Sequence, residues 1–128
     1  MSLPFLLYEK EFTMYSEIKI GKTTVPMRSS GLTAHIYKRL FGKDLLKQFI
    51  SVKETNDISF LRELAFVMAW QAKDHVPSVS HDLQKLSINE YFDWLDRYSE
   101  MDFMDQNTLL EIENCWLENT KSTADLKN

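Results

Sequence analysis

The stretch ISFLRELAFVMAWQA, residues 58–72, decides the fold of this chain. Its apolar side chains recur at the three- and four-residue spacing of a helix, through Ile58, Leu61, Leu64, Ala65, Met68 and Ala69. Phe60, Phe66 and Val67 fall outside that stripe, so the helix is apolar on most sides. Such a helix lies at the centre of a domain or presents its second face to a partner. Asn56 or Asp57 is placed to cap its start.

On the amino-terminal side the pattern changes to the two-residue alternation of β-strands. The alternating apolar residues are Ile18, Ile20, Val25 and Met27, with Gly21-Lys22 between them as turn residues. This pattern predicts a β-hairpin with one buried face. Because Pro26 lacks a backbone N–H, the second strand is either an edge strand or is broken at that residue.

Two short helices are predicted between the hairpin and the central helix. The first carries Leu32, Ile36, Leu40 and Phe41 at helical spacing. It ends at Gly42, because glycine takes the left-handed conformation of helix ends without a steric penalty. The apolar stripe predicted for the second helix is Leu45, Leu46, Phe49 and Ile50.

Two more helices follow a loop predicted at residues 73–85, where Pro77 interrupts any helix. Ser87-Ile88-Asn89-Glu90 matches a capping box, and the helix that it opens presents Ile88, Tyr91, Phe92 and Leu95, with Trp94 nearby. The last helix covers about residues 105–119, with Leu109, Ile112 and Trp116 as its stripe. The sequence therefore predicts an α+β, mostly α fold: a short N-terminal β-hairpin followed by about five helices packed as one small domain.

The predicted domain spans residues 14–121. Residues 1–13, MSLPFLLYEKEFT, are expected to be a non-native or disordered leader. The reason is that residues 9–14 can be encoded by a purine-rich ribosome-binding site ahead of a start codon at Met14. Residues 122–128 contain a single large apolar side chain, Leu126, and are expected to form a flexible tail.

The composition is that of one folded domain. A chain of 128 residues with 44% hydrophobic and 12% aromatic residues has ample material for a core. The net charge of −4 disfavours binding to a phosphate backbone. No apolar stretch approaches the roughly 18 residues of a membrane span, so a soluble protein without a membrane partner is expected. Cys115 has no second cysteine to pair with, and we expect a buried thiol in a reducing cytoplasm.

Patterns of catalytic or metal-binding residues are missing from the sequence. His35, His75 and His81 do not have the spacing of a zinc site. Ser80-His81-Asp82 contains the residue types of a hydrolase triad, but adjacent side chains point in different directions and cannot form the relay. The three isolated glycines cannot form a phosphate-binding loop. We therefore expect no enzyme activity, no cofactor and no metal.

Flexible and aromatic side chains are the remaining distinctive feature. Methionine side chains are flexible and polarizable, and surfaces that accept varied apolar partners are rich in them. Residues 94–104, WLDRYSEMDFM, alternate apolar and acidic residues in a pattern that no single helix face buries fully. The sequence predicts a partner-binding surface made of Phe60, Phe66, Trp70, Trp94, Tyr98, Met101 and Phe103.

The order of these features resembles the small tail assembly chaperones of siphophages that infect Gram-positive bacteria. The resemblance covers Tyr15 to Lys121. It is carried by EIKIGKTTVPMRSS, YKRLFGKDLLK, ELAFVMAWQA, SINEYFDWLDRY and ENCWLENT, in that order. Its most specific parts are RLFGKDLL at residues 39–46 and the closing Trp116–Asn119.

This resemblance implies a mostly helical, non-catalytic protein of the bacterial host cytoplasm that is not part of the mature virion. Such a chaperone binds apolar helical segments of the tape measure protein during tail morphogenesis. Subunits of the tail tube, the major tail protein, then replace it. The resemblance also implies self-association, whereas the net charge of −4 is the reason to expect no nucleic-acid partner.

A second interpretation, from a different functional class, is a small DNA-binding regulator. The short helices around Gly31 and Gly42 can be read as a helix-turn-helix. The sequence pI near 5.3 disfavours this interpretation. So does Asp44, which interrupts the basic cluster formed by Lys38, Arg39, Lys43 and Lys47.

Overall fold

The fold is that of a computed structural model, which describes residues 14–73 and 85–119. The predicted leader, most of the predicted loop at residues 73–85, the flexible tail, His75 and His81 lie outside these residues. The described elements are β1 (Met14–Ile20), β2 (Thr23–Ser29), α1 (Thr33–Phe41), α2 (Leu45–Thr55), α3 (Phe60–Lys73), α4 (Ile88–Leu95), a 3₁₀ helix (Glu100–Phe103) and α5 (Gln106–Asn119). The predicted α+β fold with an N-terminal hairpin and five α-helices is confirmed.

The hairpin is antiparallel and is closed by the two residues Gly21 and Lys22. Gly21 has a φ of 62°, the left-handed conformation that favours glycine. In a hairpin with a two-residue turn, the residue pair next to the turn exchanges backbone hydrogen bonds, and hydrogen-bonded and non-hydrogen-bonded pairs alternate along the strands. Pro26, opposite Glu17, is therefore at a non-hydrogen-bonded position. The missing N–H of Pro26 therefore faces the free edge of β2, and the strand continues unbroken to Ser29.

Helix α3 is the centre of the domain. It contacts β2, α1, α4 and α5, and eight of its 14 residues are buried, which explains why its apolar residues are not confined to one stripe. Its buried polar residue, Gln71, accepts a hydrogen bond from the Thr33 hydroxyl at 2.6 Å and donates one to Ser30 Oγ at 3.2 Å. These bonds satisfy polar groups that would otherwise be costly to bury. They also fix the start of α1 against the end of α3.

The ends of α1 and α2 follow local rules. Gly42, with a φ of 71°, ends α1 as predicted. Asp44 caps α2 by accepting a hydrogen bond from the backbone N–H of Lys47 at 3.2 Å. Asn56 does not cap α3 but ends α2, with a φ of 56°. Asp57 accepts from the backbone N–H of Ser59 at 3.0 Å, just before α3 begins.

The buried stripe of α2 differs from the predicted one. Leu45 is buried, and Phe49 and Val52 are half-buried against the core. The Phe49 ring stacks on Trp116 of α5 with a centroid distance of 4.6 Å. Leu46 and Ile50, which were predicted to be part of the buried stripe, are exposed.

Helix α4 and the 3₁₀ helix also correct the prediction. Ser87 stands at the N-cap of α4 but makes no side-chain capping bond, so the predicted capping box is wrong. A capping box forms instead between Ser99 and Asp102, at the start of the 3₁₀ helix. In α4 the buried residues are Tyr91 and Trp94, whereas Phe92 is exposed.

Helix α5 is held to the hairpin by hydrogen bonds between residues distant in sequence, two of which are accepted by backbone carbonyls. Ser29 Oγ donates to the backbone carbonyl of Cys115 at 2.7 Å, and Thr108 Oγ1 donates to that of Lys19 at 2.8 Å. The thiol of Cys115 is buried, as predicted, and burial raises its pKa. A thiol with a raised pKa is a packing residue and a poor nucleophile.

Candidate interaction site

A row of aromatic rings runs between α3 and α4. Phe66 lies at its centre, with ring centroids 5.5 Å from Tyr91 and 5.6 Å from Trp94. Trp94 continues the row to Tyr98 at 5.1 Å. All three of these ring pairs meet edge to face, an arrangement that aromatic quadrupoles favour. The row therefore forms a rigid apolar wall along one side of the domain.

Phe66, Trp94 and Tyr98 of this wall line a groove with a volume of about 810 Å³. Its floor comes from α3, one side from residues 23–26 of β2 and the other side from α4 and the residues after it. We call it the aromatic groove and define it by Val25, Pro26, Phe66, Ala69, Trp70, Leu86, Trp94 and Tyr98. Charged side chains surround it: Lys73, Lys85, Glu90, Asp93 and Arg97. An apolar floor with a charged rim suits an apolar ligand segment with polar flanks.

Four of the seven residues predicted to bind a partner line this groove: Phe66, Trp70, Trp94 and Tyr98. Trp70 and Tyr98 are half-buried and reachable, whereas Phe66 and Trp94 are core residues. Met101 is exposed but does not line the groove. Phe60 and Phe103 are also core residues.

The structure thus corrects the predicted surface. Phe60, Phe66, Trp94 and Phe103 are buried because they pack against other aromatic rings, which a linear sequence does not reveal. The β2 side of the groove could not be predicted from the sequence. The alternation of Val25 and Met27 indicates a strand, and Pro26 between them is compatible with an edge strand. However, nothing in the sequence indicates that this edge lies beside α4.

A second surface lies around the 3₁₀ helix. Two shallow depressions share Arg62, Glu100 and Phe103 in their linings, so they belong to one continuous region. The exposed apolar side chains that line these depressions are Ile58, Phe92 and Met104. Met101, also exposed, is close to Met104, because its backbone carbonyl accepts a hydrogen bond from the N–H of Met104. The segment 94–104 therefore divides between the core, through Trp94 and Phe103, and the surface, through Met101 and Met104.

A cluster of ionisable side chains joins α1, the turn after it and α3. The Tyr37 hydroxyl donates to Glu63 at 2.7 Å, and Lys43 forms an ion pair with the same carboxylate at 2.9 Å. Burial, then the hydrogen bond to Glu63, raises the pKa of Tyr37. Because the Tyr37 ring is fully buried and each polar group is paired, the cluster fastens α1 to α3.

Comparisons with known proteins do not identify the chain. The sequence matches no protein-family model and no curated protein, and the structure matches no solved structure. Within residues 14–73 and 85–119, no three histidine, cysteine or acidic side chains are grouped so that they could hold a metal ion. The helices of the same residues include none with the length and apolar character needed to cross a membrane.

Proposed function

We propose that this protein is a non-catalytic phage tail assembly chaperone that binds apolar helical segments of a tape measure protein in its aromatic groove. The observation that carries the proposal is the groove itself, which combines the half-buried Trp70 and Tyr98 with an apolar floor. Aromatic side chains at the centre of such a surface supply most of the free energy of protein binding. The sequence resemblance supplies the identity of the client.

The β2 side of the groove favours a helical client over an extended one. Adding a strand to a sheet edge depends on main-chain hydrogen bonds, and Pro26 removes one donor from the middle of the free edge. A helix satisfies its own backbone groups and needs only apolar contacts. It would place anchors at positions i, i+3, i+4 and i+7 against the floor.

The proposed action takes place in the cytoplasm of the bacterial host and ends before the virion is complete. The chaperone covers the apolar repeats of the tape measure protein until subunits of the major tail protein replace it. Exchange of this kind requires reversible binding. The groove fits this requirement because its two reachable rings give a small apolar contact with a charged rim.

Co-expression tests the proposal. A helical fragment of the tape measure protein encoded in the same genome, insoluble by itself, should become soluble with the wild-type chain. Trp70→Glu, which places a charge in the groove, should abolish the effect. Leu110→Glu is the matched control, because Leu110 is exposed on α5 and does not line the groove. Circular dichroism should show that both variants are folded. If the fragment stays insoluble with the wild-type chain, the proposal is wrong.

One observation favours the alternative of a DNA-binding regulator. Helices α1 and α2 are joined by only three residues, Gly42 to Asp44, the turn length of a helix-turn-helix. However, the exposed face of α2 carries Leu46 and Ile50, whose side chains cannot hydrogen-bond to base edges. A gel-shift titration with mixed DNA at low salt decides between the two: micromolar binding with a steep salt dependence would support the regulator.

A further inference from the structure

The hairpin has two outer edges, and their backbone groups differ. The edge of β2 is interrupted by Pro26, which has no N–H to offer. In β1 the residues at non-hydrogen-bonded positions are Tyr15, Glu17 and Lys19. The N–H and C=O of such residues point away from the paired strand. The outer edge of β1 therefore presents an uninterrupted row of backbone donors and acceptors.

A hydrogen bond from α5 marks one end of this row. The Thr108 hydroxyl donates to the backbone carbonyl of Lys19 at 2.8 Å, so that carbonyl points away from β2, as the strand register requires. Among the described residues, the N–H and C=O groups of Tyr15 and Glu17 have no such partner. Both residues are exposed. Unpaired groups on a strand edge are a template on which a further strand can form.

A groove of about 300 Å³ lies between this part of β1 and α5. Residues 16–18 form its β1 side. On the α5 side, Glu111, Asn114 and Glu118 line it at the three- and four-residue spacing of one helix face. A strand added to β1 would lie beside that face and direct every second side chain towards α5. We call the free groups of Tyr15 and Glu17, together with this face of α5, the edge groove.

The α5 side of the edge groove determines the charge of a suitable partner. Glu111 and Glu118 are acidic, and none of the described residues in the lining is basic. Basic side chains directed towards α5 would therefore be attracted, and acidic ones repelled. The outer face of the hairpin has charges of both signs, Glu17 and Lys19, and so selects neither. There the exposed ring of Tyr15 offers a packing surface to the alternate side chains of an added strand.

We infer that an extended peptide segment with basic side chains binds in the edge groove as a third strand beside β1. Its backbone pairs with the free N–H and C=O groups of Tyr15 and Glu17, and its lysine or arginine side chains meet Glu111 of α5. The main-chain bonds favour any extended segment, and the carboxylates select the basic one. The edge groove shares no lining residue with the aromatic groove, so the inference does not depend on the proposed function.

Titration of the isotope-labelled chain with a synthetic peptide, followed by NMR, tests the inference. The peptide has about eight residues, an ordinary strand length, and alternates lysine with threonine and valine. We expect saturable binding, with the largest shift changes at the amides of Tyr15 and Glu17. Glutamate in place of lysine should weaken binding at least about tenfold. Methylation of one alternate set of backbone nitrogens should weaken it at least about tenfold, and methylation of the other set should not, because only one edge of the peptide faces β1.

Variants of the chain test the same contacts. Glu17→Pro removes a donor from the edge but no hairpin bond, because Glu17 is at a non-hydrogen-bonded position, like Pro26 opposite it. It should weaken binding at least about tenfold, whereas Glu17→Gln, which keeps the N–H, should bind like the wild-type chain. Glu111→Lys should also weaken binding about tenfold. Glu54→Lys is its matched control, since it makes the same change of charge at an exposed position on α2. Circular dichroism should show that all four variants are folded.

Several results would overturn the inference. They are no binding of the lysine peptide at concentrations up to about 1 mM, an equal effect of the two methylations, and unchanged binding by folded Glu17→Pro. Largest shift changes at Trp70 and Tyr98 would place the peptide in the aromatic groove instead. Shifts of Tyr15 and Glu17 that follow the concentration of the chain without peptide would show that a second copy occupies the edge. Because the probe is not the client, none of these results bears on the co-expression test.

Discussion

Replacing Gly21 with alanine should destabilise the domain by about 2 to 3 kcal/mol, through two separate costs. The φ of 62° is strained for alanine, which costs about 1 to 2 kcal/mol. The new Cβ would also lie 2.7 Å from the Asp102 carboxylate. Asp102 must then move away and lose its 3.0 Å bond from the Ser99 N–H, which costs about 1 kcal/mol more, the usual worth of a cap.

Gly42→Ala separates the two costs. Gly42 has a similar φ of 71°, but a Cβ there would meet no atom within 4 Å. Gly42→Ala should therefore lower the free energy of unfolding only by the cost of the strained φ, about 1 to 2 kcal/mol. Urea denaturation, followed by tryptophan fluorescence, gives the free energy of unfolding of each single variant: Gly21→Ala, Gly42→Ala and Asp102→Ala. The same measurement is made on the double variant Gly21→Ala with Asp102→Ala. The double variant should be less destabilised than the sum of its single variants. Additive effects, or equal losses for both glycines, would refute the contact between the hairpin turn and the 3₁₀ helix.

Three further predictions concern the core. Cys115 should react with a thiol reagent at least about a hundredfold more slowly in the folded chain than in denaturant, because the thiol is buried and its pKa raised; equal rates would contradict its burial. The free energy of unfolding should fall as pH rises above about 10, since the raised pKa of Tyr37 keeps the folded state protonated while the unfolded state ionises. Tyr37→Phe should reduce that slope but not remove it, because the pKa values of Tyr91 and Tyr98 are also raised. Gln71→Met should cost about 1 to 3 kcal/mol in urea denaturation, because it leaves the buried Thr33 hydroxyl without its acceptor; a neutral effect would show that this bond is not formed.

Much of the fold could be predicted because it depends on local patterns. The two-residue alternation around Gly21, the apolar run of α3 and the helix end at Gly42 each have a local physical cause. The buried stripe of α2 could not be predicted in this way. Its sequence contains two overlapping stripes, one with Leu45 and Phe49 and one with Leu46 and Ile50, and only packing against Trp116 selects the first.

The candidate site was less predictable than the fold. Sequence identified the aromatic residues that line the groove but could not separate reachable rings from core rings. Trp70 and Trp94 cannot be distinguished by residue type. In the structure Trp94 is enclosed by the rings of Phe66, Tyr98 and Phe103, which come from different parts of the chain. The free edge of β2 is part of the site because the hairpin packs on α3, a contact between distant parts of the chain that local sequence patterns do not reveal.

The most direct test of the central claim is the binding of a synthetic tape measure helix, labelled with a fluorophore, measured by fluorescence anisotropy. We predict saturable binding to the wild-type chain and to Leu110→Glu, and binding at least about thirtyfold weaker to Trp70→Glu, the usual effect of losing a central aromatic contact. Equal affinity for the wild-type chain and Trp70→Glu, or no binding by the wild-type chain, would contradict the aromatic groove as the client site.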